Sequence, residues 1–131
     1  MMTFEVRTTA REQFVDISEA VAGAVAGAGV AEGIALVFVP HTTAGVTVNE
    51  NADPDVPADL VDGLRRIAPR HAGWRHAEGN SDGHVKSTLA GCSATLPVSG
   101  GRAVLGTWQG VFLCEFDGPR TRMVHVQVVG G

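Results

Sequence analysis

Three short segments hold most of the residues in this chain that are equipped for chemistry. The first opens at His41 and runs His41-Thr42-Thr43-Ala44-Gly45-Val46-Thr47-Val48-Asn49-Glu50, directly after an apolar run. The second is Arg75-His76-Ala77-Glu78-Gly79-Asn80-Ser81-Asp82-Gly83-His84. The third joins Gly106-Thr107-Trp108-Gln109-Gly110 to Glu115-Phe116-Asp117-Gly118-Pro119-Arg120. Histidine titrates near neutral pH, so His41, His76 and His84 are candidates for general acid–base work or for metal ligation. The spacing from His76 to His84, with His41 far away in sequence, matches no local zinc signature, and both uses stay open. Glu50 is a candidate acid or metal partner, and Asp53 reads as a helix cap. Arg120 could fork onto a phosphate or carboxylate, or could simply be solvated.

Two positions carry a geometric expectation. If a helix starts near Asp82, His84 falls in its first turn beside free backbone N–H groups, a setting that attracts anions. The plainer alternative is that Ser81 or Asp82 only caps that helix. Glu115 alternates with Val111 and Leu113, so it faces a core, where a carboxylate is either paired or functional unless a bulge turns it outward. Trp108 and Gln109 offer an aromatic platform and an amide, although a tryptophan serves as often to pack under a loop. His71 reads as a surface residue and His125 as a structural one inside a strand.

The elements that must position these residues follow from periodicity. Thr3–Thr8 and Gln13–Ile17 alternate as strands. Ser18 to about Gly27 reads as a helix stopped by glycines. Gly27, Gly29 and Gly33 have the wrong spacing and context for a dinucleotide loop. Ile34–Val39 is a continuous apolar strand ended by Pro40, and His41–Gly45 is a turn or bulge before a further strand at Val46–Val48. Asp53-Pro54 starts a helix whose apolar face is Leu60, Leu64 and Ile67, and Pro69 stops it. Residues 73–83 read as loop, and Val85–Ala90 as a short helix closed by Gly91. Four strands follow at Ser93–Val98, Arg102–Leu105, Val111–Phe116 and Thr121–Val129, with hairpin-type turns at Ser99-Gly100-Gly101 and Asp117-Gly118-Pro119-Arg120. Seven or eight strands with two or three helices, and no strict βαβ alternation, predict an α+β domain. Its sheet would be mixed, mostly antiparallel, and arranged as a β-sandwich or closed barrel.

Composition narrows the class. A chain of 131 residues predicts one domain over 1–131, and 44% hydrophobic residues suffice for a core. Five Phe, two Trp and no Tyr make that core mostly aliphatic. A net charge of −4 argues against non-specific nucleic-acid binding but allows a local anion site. No apolar run approaches the roughly 20 residues of a membrane span, and no secretory signal is visible, so a cytoplasmic location is expected. Cys92 and Cys114 read as two buried free thiols without basic neighbours.

Taken in order, the motifs from His41-Thr42-Thr43-Ala44 through Asn49-Glu50-Asn51-Ala52-Asp53-Pro54-Asp55, Arg75-His76, Glu78-Gly79-Asn80, His84, Leu105-Gly106-Thr107-Trp108-Gln109-Gly110 and Glu115–Arg120 resemble the YjbQ family over nearly the whole chain. The resemblance implies a single α+β domain and a homotrimer with polar motifs near subunit boundaries. It also implies a secondary thiamine-phosphate synthase activity, which joins a pyrimidine diphosphate to a thiazole phosphate and releases diphosphate. The matched polar positions are His41, Asn49, Glu50, His76, Asn80, His84, Trp108, Gln109, Glu115 and Arg120. His41, His76 and His84 would form a metal or acid–base cluster. Three neutral histidines favour zinc or another transition metal, whereas diphosphate chemistry favours magnesium. Asp82-Gly83 departs from the small or Pro-Ala-like pair usual before the third histidine. The readings carried forward are an enzyme acting on a small phosphorylated or anionic metabolite, a metal-assisted hydrolase, and a non-catalytic ligand- or metal-binding trimer.

Overall fold

Apolar–polar alternation resolves into two antiparallel sheets that enclose one aliphatic core. The computed structural model describes residues 1–131. In chain order the elements are β1 (Met2–Arg7), β2 (Gln13–Asp16), α1 (Ser18–Gly27), β3 (Glu32–Phe38), β4 (Ala44–Glu50), α2 (Asp55–Ile67), α3 (Ser81–Ala90), β5 (Ser93–Ser99), β6 (Arg102–Ala103), β7 (Gln109–Glu115) and β8 (Thr121–Gly130). The larger sheet has the order β1-β8-β3-β5-β6 and the smaller β2-β7-β4. The expected α+β class holds, on the sandwich side of the alternative.

The core joins Val37 and Val39 to Val46, Val111, Leu113, Val124 and Val126, with α1 adding Val21 and Val25. Branched side chains suit both faces of a pleated sheet. β7 explains itself by burial on both sides. Val111 and Leu113 enter the core, while Phe112 and Cys114 are buried on the other face. There the Phe112 ring packs 6.2 Å from that of Phe14, and Phe116 lies 6.3 Å from the same ring.

Four expectations need correction. The turn or bulge expected at His41–Gly45 is shorter, because β4 already begins at Ala44, and it joins two sheets, β3 lying in the larger and β4 in the smaller. The chain crosses between the sheets through His41, and the pairing that separates them is too long-range to read locally. The helix expected at Val85–Ala90 begins at Ser81. Its inner face is Asp82, Gly83, Lys86 and Ser87, so no apolar periodicity announces it. Cys92 is exposed, and only Cys114 is buried. The strand at Arg102 is also shorter than expected, since only Arg102 and Ala103 pair with β5.

Of the apolar face expected on α2, Leu60 and Leu64 turn inward but Ile67 is 67% exposed, and no residue of the helix is fully buried. Leu60 and Leu64 lie over Phe14, Leu89 and Cys114. Its start is secured by Asp53, whose Oδ1 accepts the Asp55 N–H at 2.9 Å. No helix is long and apolar enough to cross a membrane.

Candidate functional site

The β4–β7 ladder sorts the polar residues. Ala44 pairs with Glu115 at one end, and Glu50 with Gln109 at the other. At the strand rise of about 3.3 Å per residue the two ends lie roughly 20 Å apart. Asn49, Glu50, Trp108 and Gln109 therefore share one end, while His41, Glu115, Arg120, Asn80, His76 and His84 belong to the other.

At the far end the side chains mostly serve local structure. Asn49 Oδ1 accepts the Glu50 N–H at 2.7 Å, and Gln109 Oε1 accepts the Gly106 N–H at 2.7 Å. Trp108 is 64% exposed, so it does not pack under its loop.

At the near end a buried ion pair anchors the frame. The Glu115 carboxylate is fully buried and accepts from Arg122 Nε at 2.9 Å, Thr8 Oγ1 at 2.8 Å, and the backbone N–H groups of Phe116 and Asp117 at 3.0 Å. Arg122 also donates to Thr43 O and Oγ1. With every oxygen engaged inside the protein, Glu115 has a structural role. Arg122 escaped the sequence reading, although it alternates with Val124 and Val126 by the same logic that marked Glu115.

The β7–β8 turn joins the third segment to the second. Arg120 folds onto Asp117 of its own turn, donating to the backbone oxygen at 2.8 Å and to the carboxylate at 3.0 Å. The same carboxylate accepts from Asn80 Nδ2 at 2.9 Å. Asn80 stands just before α3, and its carbonyl accepts the N–H groups of Gly83 and His84. Its buried Oδ1 has no partner. Asp82 does not cap the helix. It accepts two bonds from Arg11, each at 3.1 Å, and one from Lys86 at 2.8 Å. Lys86 in turn reaches Glu12 at 3.3 Å, and Glu12 meets Arg65 of α2 at 3.2 Å. Burial opposes ionisation of Asp82, but the bonds from Arg11 and Lys86 outweigh it and hold the carboxyl at about 2. Thus α3 is fixed by charge on its inner face, and the Asp82–Lys86 step of one helical turn was the signal available for it.

The outer face of α3 borders an open cleft of about 690 Å³. Trp74, Arg75 and His76 form one wall; Ser81, His84 and Val85 form the other. The His76 and His84 rings stand 5.5 Å apart and perpendicular, at 89°. His76 Nε2 lies 3.6 Å from the Glu78 carboxylate. His84 also borders a second hollow, of about 370 Å³, with Thr42, Ser87, Thr88 and Cys92. Trp74 and Arg75 were not singled out as site residues, because a loop has no periodicity to show what it lines, and Ser81 was read only as a possible cap of α3.

His41 does not join the histidine pair. Its Nε2 accepts the Met123 N–H at 2.9 Å. Burial, then the positive charge of Arg122, lowers its pKa below 6.5. The ring therefore presents Nδ1–H as a donor. Within one chain no three His, Cys, Asp or Glu side chains are gathered to hold a metal. The ligand set His41, His76 and His84 is thus not assembled by the chain alone, and His41 would have to release Met123 to ligate through Nε2.

Two antiparallel sheets with this histidine-bordered cleft define an α+β protein of the YjbQ type. The family model described as UPF0047 protein YjbQ-like matches residues 2–131, and the chain belongs to that family. It is 46% identical to a UPF0047 protein of Methanocaldococcus jannaschii over 130 residues, covering 99% of this chain and 94% of the relative. It is 44% identical to UPF0047 protein YugU of Bacillus subtilis over 131 residues, covering 99% of each. The crystal structure of an uncharacterized YjbQ/UPF0047 protein from Clostridium acetobutylicum superposes with a TM-score of 0.96 at 45% identity, covering 98% of this chain and 100% of that one. A Sulfolobus solfataricus structure, described as of unknown function, gives 0.96 at 32% identity, covering 99% and 96%.

Proposed function

We propose that the cleft between residues 74–76 and α3 binds a small phosphorylated or otherwise anionic metabolite, and that His76 and His84 manage the proton of its leaving group. The supporting observation is the perpendicular histidine pair, held at the start of α3 with Arg75 beside it. Helix N-termini and arginine both favour phosphate oxygens. The reaction taken from the family resemblance is thiamine-phosphate-synthase-like transfer. Diphosphate leaves a pyrimidinylmethyl carbon, the thiazole nitrogen of the second substrate forms the new C–N bond, and the departing diphosphate takes up a proton. An imidazolium near the leaving oxygen stabilises it and supplies that proton.

The test supplies purified protein with hydroxymethylpyrimidine diphosphate and thiazole phosphate, and measures thiamine phosphate. His76→Ala and His84→Ala are expected to lower the rate by about 100-fold or more, the usual size of general acid–base effects. Equal rates in wild type and both variants would overturn the catalytic role. Binding of phosphorylated metabolites without turnover of any of them would favour a ligand-binding protein instead.

We also propose that copies of the chain associate as the homotrimer implied by the family resemblance. Ile34, Leu36 and Phe38 project outward from β3, in the middle of the larger sheet, and all three are exposed. A second copy covering this stripe would remove apolar area from water.

A further inference from the structure

We propose that Trp74 is the specificity-determining platform of the cleft, selecting phosphorylated ligands that carry a planar aromatic ring. The proposal rests on the reading of the cleft as a phosphate-ligand site and goes one step further, to the part of the ligand that is not phosphate. The indole Nε1–H of Trp74 donates to Pro69 O at 3.0 Å. Its single polar atom is therefore engaged, and the ring is tethered to the end of the α2 connection. What remains for a ligand is the apolar ring. The residue is 37% exposed and borders the same cleft as His76 and His84. A buried tryptophan would need no ligand to explain it, and an untethered one would lose entropy on stacking. Trp74 is neither.

The surrounding charge agrees. Arg75 borders the cleft and Arg70 stands four residues before Trp74, against one nearby carboxylate, Glu78, which lies 3.6 Å from His76. A ligand laid across Trp74 would meet arginine and the first turn of α3 at its phosphate end. A cleft of about 690 Å³ suits a small molecule. A nucleic-acid strand requires a succession of stacking platforms. The chain's other tryptophan, Trp108, lies at the opposite end of the β4–β7 ladder and cannot serve as the next platform within one chain.

The test compares ligands that differ only in the ring. Calorimetric titrations use uridine and adenosine 5′-monophosphates, ribose 5-phosphate and inorganic phosphate, with wild type, Trp74→Phe and Trp74→Leu. Wild type is expected to prefer at least one nucleoside monophosphate over ribose 5-phosphate by about 5-fold or more, the lower limit of a base–aromatic stack. Trp74→Leu should erase that preference and leave ribose 5-phosphate affinity within about twofold, whereas Trp74→Phe should keep most of it. Equal weakening of ringed and ringless phosphates in Trp74→Leu would overturn the proposal, as would a preference that survives it. An oligouridylate bound far more tightly than the mononucleotide would also overturn it, by assigning the patch to nucleic acid. If none of the four compounds binds wild type, the phosphate-site reading itself falls, and this proposal with it.

Discussion

His41 shows how one hydrogen bond decides between chemical roles. Its sequence context, an imidazole after an apolar strand among threonines, fits a ligand, a base or a structural acceptor equally well. The Met123 N–H bonded to Nε2 selects the acceptor role, because a protonated Nε2 could not receive it. Burial is the first cause of the lowered pKa and the Arg122 charge the second. The unfolded chain takes up this proton near 6.5, while the folded chain resists until a lower pH. Between the two values the unfolded state binds more protons, so stability rises with pH and is lost as pH falls. Stability against urea should accordingly weaken as the pH falls below about 7. His41→Gln should flatten that dependence, and an unchanged slope in the variant would overturn the assignment. Glu115 was legible as a matter of register, a charge in an apolar row; Arg122 stands in a similar row with Val124 and Val126 and was missed. Trp74 was not legible, since only the tertiary path of its loop places it on the cleft.

Among the elements, α3 holds the site and α2 approaches it, and one glycine in each separates packing from propensity. A Cβ on Gly83 would stand 2.9 Å from Phe116 O, whereas one on Gly63 of α2 would meet nothing within 4 Å. Alanine is the better helix former by up to about 1 kcal/mol. Gly63→Ala should therefore raise the unfolding free energy by up to about 1 kcal/mol. Gly83→Ala should lower it despite the same intrinsic gain, because the first turn of α3 must back away from the β7–β8 turn. Chemical denaturation of the two variants checks both signs, and stabilisation by Gly83→Ala would refute the close packing. The same turn explains why α3 was only half legible. Gly91 and helix propensity mark Val85–Ala90, but the turn bearing Asp82 and His84 is secured by Lys86 one turn on and by Arg11 from a distant part of the chain. Strands were easier: β1, β3, β5, β7 and β8 each follow a run of alternating or continuous apolar residues.

For the whole molecule, class and sheet content were legible because they depend on local period. The partition of polar residues between two ends of one ladder was not, because it depends on pairing between β4 and β7, which lie far apart in sequence. The proposed trimer supplies a direct check on the larger sheet. Wild type should run at the trimer mass in light scattering, and Leu36→Asp should shift it toward the monomer by placing a carboxylate in the apolar stripe. Identical masses for the two would remove β3 as the subunit boundary. The contrast between the two walls of the cleft has a kinetic consequence. α3 is held by buried ionic contacts, but α2 has no fully buried residue, and it leads directly into the loop that carries Trp74–His76. Amide hydrogens in α2 can then exchange with solvent through local opening, while those of the Asp82–Lys86 turn wait for much rarer, more global events. Under the proposed ligand-binding role, a molecule that bridges the walls would spend part of its binding free energy quieting the α2 side, trading affinity for ready entry and release.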